Sequence, residues 1–98
     1  MLRHIVMIKF KQDEDLSEVS AKTRKLLMAL EMSIEPLLKM EVGLNFSTRP
    51  SAYDLILLAD FNDEDGLNIY RDHPDHIKVL DYLKIVMDKA TVVDYLIT

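Results

Sequence analysis

Tyr53-Asp54-Leu55-Ile56-Leu57-Leu58-Ala59-Asp60-Phe61 contains the longest apolar stretch of the chain. Both of its alternating faces are apolar, which predicts a central strand. Upstream, residues 38–46 alternate again: Met40, Val42, Leu44 and Phe46 against Lys39, Glu41, Gly43 and Asn45. A strand with one polar face fits an edge position or an exposed face. Between the two runs, Ser47–Ala52 with Pro50 reads as a loop. Downstream, Asn62-Asp63-Glu64-Asp65 begins a short helix, with Asn62 the expected N-cap. That helix carries Leu67 and Tyr70 and stops near Asp72. Pro74 fits the first turn of the next helix, since its missing N–H is not needed there, and Asp72 or His73 caps it. Helical spacing puts His76, Leu80, Leu83 and Met87 within about 60° of one another.

Residues 2–10 and 90–97 complete the strand set. Leu2, His4, Val6, Ile8 and Phe10 share one face of the first; Arg3, Ile5, Met7 and Lys9 share the other. In the last, Val92, Asp94 and Leu96 oppose Val93, Tyr95 and Ile97. Between residues 10 and 38, Leu16, Val19, Thr23, Leu26, Leu27 and Leu30 recur at helical spacing. Asp13 or Asp15 caps that helix, and Pro36 ends any continuation. The order β-α-β-β-α(α)-β predicts an α+β, ferredoxin-like unit over residues 1–98: a single domain with one four-stranded antiparallel sheet and helices on one face.

That arrangement poses a packing problem. The helices cover one sheet face, yet three strands are apolar on both. An exposed apolar face of that extent is rare on a soluble monomer. A second copy of the same sheet is the simplest cover, because a two-fold dimer needs only one self-complementary surface. The expected partner is therefore the chain itself, as a homodimer through the open sheet face.

Composition narrows function further. The 98 residues carry 12 Lys+Arg against 17 Asp+Glu, a net charge of −5. That balance argues against nucleic acid and anionic membrane as partners, since both draw on clustered basic charge. Cysteine is absent, which excludes disulfides, thiolate metal sites and Cys nucleophiles. No apolar run approaches the roughly 18 residues of a membrane span, and no signal-peptide pattern opens the chain, so the expected location is the cytoplasm.

Arg3-His4-Ile5-Val6, Glu41-Val42-Gly43-Leu44-Asn45-Phe46, Ala52-Tyr53-Asp54-Leu55, His73-Pro74-Asp75-His76 and Val92-Val93-Asp94-Tyr95 together resemble the Dabb family, the stress-responsive dimeric α/β barrels. The resemblance spans essentially the whole chain. It implies a ferredoxin-like unit whose sheet packs on a partner's sheet. Many bacterial members are uncharacterised; plant members include stress-accumulated proteins that assemble into larger rings. One plant branch, the olivetolic acid cyclase type, folds a linear polyketide into an aromatic acid. Its catalytic tyrosine and histidine match Tyr70 and His76, and its first-strand histidine matches His4. The branch's third-strand histidine falls at Leu55, and an aromatic late in its last helix falls at Met87, two departures in the substrate pocket.

The candidate site residues are thus Tyr70 and His76 as a catalytic pair, with His4 and His73 joining them around a ligand. A histidine on an apolar stripe titrates near neutrality and can act as a general base. A tyrosine hydroxyl beside it can donate to an enolate oxygen. Neither step needs a cofactor or a metal, and none is expected. Each residue also has a structural role open to it: His76 ordering the Pro74 turn, Tyr70 packing as core, His4 as a buried hydrogen-bonded histidine. His73-x-x-His76 brings two imidazoles together, but spacing fixes no third metal ligand. Asp63–Gly66 fails as a calcium loop because Phe61 falls where its first carboxylate belongs. The leading expectation is a stress-response-type dimer that binds a small apolar or aromatic molecule between helices and sheet. The alternatives are a cofactor-free cyclase or lyase and a purely structural assembly protein.

Overall fold

The strands and helices form where the periodicities place them. The computed structural model describes residues 1–97. In chain order they are β1 (Leu2–Phe10), α1 (Leu16–Ser33), β2 (Lys39–Leu44), β3 (Leu55–Phe61), α2 (Glu64–Asp72), α3 (Pro74–Val86) and β4 (Met87–Leu96). The strands make one four-stranded sheet in the order β2-β3-β1-β4, and all three pairings are antiparallel. This is the ferredoxin-like α+β unit. The twice-apolar β3 is internal, and the half-polar β2 is at the edge.

Several boundaries shift for identifiable reasons. α2 is capped by Asp63, one residue later than Asn62, because the Asp63 carboxylate accepts the Gly66 N–H at 2.9 Å. Asp15 caps α1 by accepting the Glu18 N–H at 3.1 Å. His73 caps α3 with its own ring: Nδ1 accepts the Asp75 N–H at 3.1 Å, and Pro74 follows in the first turn. α3 ends at Val86, so Met87 is the first residue of β4 rather than the last of the helical stripe. β4 accordingly starts three residues before residue 90 and ends at Leu96. β3 begins at Leu55 and β2 closes at Leu44, which leaves Tyr53 and Phe46 outside the strands.

His4's side of the sheet faces the helices. Leu2, Ile8 and Phe10 of β1 and Leu55, Leu57, Ala59 and Phe61 of β3 are buried there against Val19, Leu27 and Leu30 of α1, Leu67 and Tyr70 of α2, and Val79, Leu83 and Val86 of α3. Thr23 is fully buried in this layer, and its hydroxyl is the one buried side-chain polar atom without a partner among the described residues.

Among the described residues, no helix covers the opposite face. Ile5 lies between Leu58 and Val93, and Met7 between Ile56 and Thr91. Met7 and Val93 are exposed, while Ile5, Ile56 and Leu58 are half-buried. Arg3 and Asp60 form a two-bonded ion pair at one end of this apolar strip, at 2.8 and 3.1 Å. The Arg3 guanidinium holds the Asp60 carboxyl below its usual pKa, and Asp60 and Tyr95 raise that of Arg3. Edge strand β4 is exposed along almost its whole length. Among the described residues, no helix is long and apolar enough to cross a membrane.

Candidate functional site

A cavity of about 510 Å³ lies between the sheet and the helices. Its floor is Val6 and Ile8 of β1 and Leu57 of β3; Leu27, Val79 and Leu83 form the helical wall, and Met87, Ala90 and Val92 run along the β4 side. The volume falls within the roughly 300–1,000 Å³ range of small-molecule sites, and the lining is mostly apolar. The cavity is open on its β4 side, where the helix-facing residues Ala90 and Val92 line it and are exposed.

Polar groups gather at one end. Tyr70 comes from the last turn of α2 and His76 from the first turn of α3, with the His73-Pro74 turn between them. Their ring centroids are 4.2 Å apart at 39°. Tyr70 is 1 % exposed, packed on Phe61 at 5.2 Å and edge-on to His4 at 6.4 Å. Burial pushes the Tyr70 phenol well above its usual pKa, so the hydroxyl keeps its proton through the neutral range. That hydroxyl has no hydrogen-bond partner among the described residues, yet it is not a sealed orphan like that of Thr23, and Tyr70 lines the cavity.

His76 is half-buried. Its Nδ1–H donates to the Arg71 carbonyl at 3.1 Å. This tautomer follows from the bond, since a carbonyl can only accept, and it makes Nε2 the lone-pair nitrogen. Burial lowers the His76 pKa more than the Arg71 carbonyl raises it, with His4, Arg71 and His73 adding to the decrease. His76 thus ties the turn through Nδ1, and the residue lines the cavity.

His4 is held by β4. In the pairing register it sits opposite Asp94, and its Nδ1–H donates to the Asp94 carboxylate. The second Asp94 oxygen accepts from Arg71 Nη2 at 3.2 Å. One carboxylate thus ties the first strand, the last strand and the end of α2 together at the polar end of the cavity. Asp94 and Arg71 were not among the residues singled out from sequence. The available signal was Asp94 itself, an acid alternating with Val92 and Leu96 on one strand face. His73 stands apart from the other three: its ring is engaged in capping α3, and it does not line the cavity. Leu55 is core, and Met87 lines the cavity from the start of β4. Among the described residues, no three His, Asp or Glu side chains converge to hold a metal ion.

Comparison with known proteins agrees with this architecture. A family model described as Stress responsive A/B Barrel Domain (Dabb) matches residues 2–97. No curated protein matches the chain. Among solved structures, a dimeric protein of unknown function with a ferredoxin-like fold from Bacteroides fragilis is 26% identical. It aligns over 98% of this chain and 95% of its own, with a TM-score of 0.89. A dimeric ferredoxin-like protein of unknown function from Thermobifida fusca is 25% identical over 98% of this chain and 90% of its own, at a TM-score of 0.86. A hydroxynitrile lyase from Passiflora edulis shares the fold at 14% identity, covering 99% of this chain and 93% of its own, with a TM-score of 0.85.

Proposed function

Because the chain belongs to the stress responsive A/B barrel (Dabb) family, we propose that it works as a homodimer whose protomers each bind a small apolar or aromatic molecule between helices and sheet. The observation that carries this reading is the unfilled cavity of about 510 Å³, apolar along its length and polar at the Tyr70–His76 end. A filled interior would have favoured a purely structural role. Dimerisation rests on the uncovered strip of Ile5, Met7, Ile56, Leu58 and Val93 and on the dimeric state of the two relatives. The reading adds no cofactor, nucleic acid or membrane partner.

A second reading, cofactor-free cyclase or lyase chemistry, is favoured by one feature. The Arg71 carbonyl fixes the His76 tautomer and leaves Nε2 as a base beside a protonated Tyr70. In that chemistry His76 Nε2 removes a proton next to a substrate carbonyl, and the Tyr70 hydroxyl donates to the enolate oxygen. His4, steadied by Asp94, packs behind Tyr70.

Native mass spectrometry of the purified protein, followed by paired variants, tests both readings. Tyr70→Phe and His76→Ala are expected to leave the melting temperature nearly unchanged while abolishing binding or turnover of an aromatic or polyketide-like ligand. Binding lost without any turnover in the parent keeps the binder and removes the enzyme. Variants that melt several degrees lower with ligand binding intact make both residues structural and end both readings.

A further inference from the structure

We infer that the ligand of this cavity is an anion, an apolar body ending in a single carboxylate, and that Arg71 selects it. The inference rests on the binding reading above and adds the chemical class. The chain as a whole is acidic, with 17 carboxylates against 12 Lys and Arg. Its cavity departs from that balance: the formally charged side chains among the described lining residues are Arg71 and Lys84, and Asp94, the carboxylate that meets Arg71 at the polar end, does not itself line the cavity. Both stand at the open side. Lys84 is eight residues along α3 from His76, about 12 Å at the helical rise, and Arg71 is next to Tyr70 at the polar end. The low-dielectric wall formed by Val6, Ile8, Leu27 and Leu83 strengthens any charge interaction made against it.

Arg71 is placed to take a carboxylate without losing its own support. Its Nη2 donates to Asp94 at 3.2 Å and its Nη1 to Asn68 at 3.4 Å, while no described residue takes the proton on Nε. A guanidinium carries five donors in a rigid fork, so a ligand carboxylate can be added beside Asp94. Asp94 does not turn away in compensation, since its other oxygen is bound to His4. Lys84 is the weaker contributor: it pairs with Asp81 at 3.8 Å, and both side chains are mostly exposed. A carboxylate on Arg71 brings the adjoining carbons of the ligand to Tyr70 and His76 and lays the remainder along the apolar wall.

Calorimetric titration of the intact protein with two matched pairs tests this: octanoate against 1-octanol, and 4-phenylbutanoate against 4-phenylbutan-1-ol. Each acid is expected to bind about tenfold or more tightly than its alcohol, as charge-assisted bonds exceed neutral ones. Raising salt should narrow that ratio. Arg71→Gln should bring acid and alcohol to similar affinity. Arg71→Lys should restore part of the preference, because the charge returns without the fork. Lys84→Gln should change the ratio less than Arg71→Gln does. Alcohols that bind as tightly as the acids, or a ratio unmoved by Arg71→Gln in a protein of unchanged melting temperature, overturn the inference and leave the binding reading standing. If none of the four compounds binds, the binding reading falls and takes this inference with it.

Discussion

The rings of Tyr70 and His76 lie 4.2 Å apart across the His73-Pro74 turn, on two different helices. Two local devices hold them there. His73 caps α3 with its ring nitrogen, and the Arg71 carbonyl, left free at the end of α2, takes the His76 Nδ1–H. The orphan groups that every helix end must satisfy are used here to orient a titratable side chain.

Burial lowers the His76 pKa from 6.5, so the folded state disfavours its proton. Between the folded value and 6.5 the unfolded chain binds more protons than the folded one, and stability rises with pH. The contribution is full above about pH 6.5 and is lost as pH falls through that window. An NMR titration of the His76 ring should give a midpoint below 6.5. Melting curves from pH 7.5 to 5 should show a smaller decline for His76→Gln than for the parent.

Thr23→Val should stabilise the protein or leave it unchanged. The Thr23 hydroxyl is fully buried without a partner among the described residues, and removing such a group recovers its desolvation cost, on the order of 1 kcal/mol. Chemical denaturation of the two proteins measures the difference. A loss above about 1 kcal/mol would mean that the hydroxyl has a partner after all.

Leu58→Glu should dissociate the proposed dimer. Leu58 lies beside Ile5 at the centre of the uncovered sheet face. A carboxylate there would be buried unpaired against a second sheet, at a cost of several kcal/mol. Sedimentation at micromolar concentration should give twice the chain mass for the parent and the single mass for the variant. The same sedimentation for both would place the interface elsewhere.

Asp94→Ala should act at the cavity more than on the fold. It removes the acceptor shared by His4 and Arg71 at a site about one-third exposed. A stability loss of about 1 kcal/mol is expected. Ligand affinity should fall more than that, because both side chains lose their orientation at once. Calorimetry alongside a denaturation curve separates the two effects.

The sequence by itself determined the element order, the central place of β3, an edge or exposed-face position for β2, and the His4, Tyr70 and His76 candidates. The element order follows from short-range regularities: a period of two that sorts Leu55–Phe61 into two apolar faces, a helical period that aligns His76 with Leu80 and Leu83, and Pro74 fixing where α3 starts; His4 and Tyr70 stand out through the family resemblance of the motifs around them. The tertiary structure alone decided how the polar end is wired. His4 meets Asp94 because the β1–β4 register places them opposite each other, 90 positions apart in the chain. Arg71 reaches the same carboxylate because α2 ends above that strand. It also chose His73 over Asp72 as the α3 cap and placed Met87 in β4. Such outcomes depend on which donors and acceptors the packed chain leaves unsatisfied. That is a property of the assembled backbone, and no spacing along the chain encodes it.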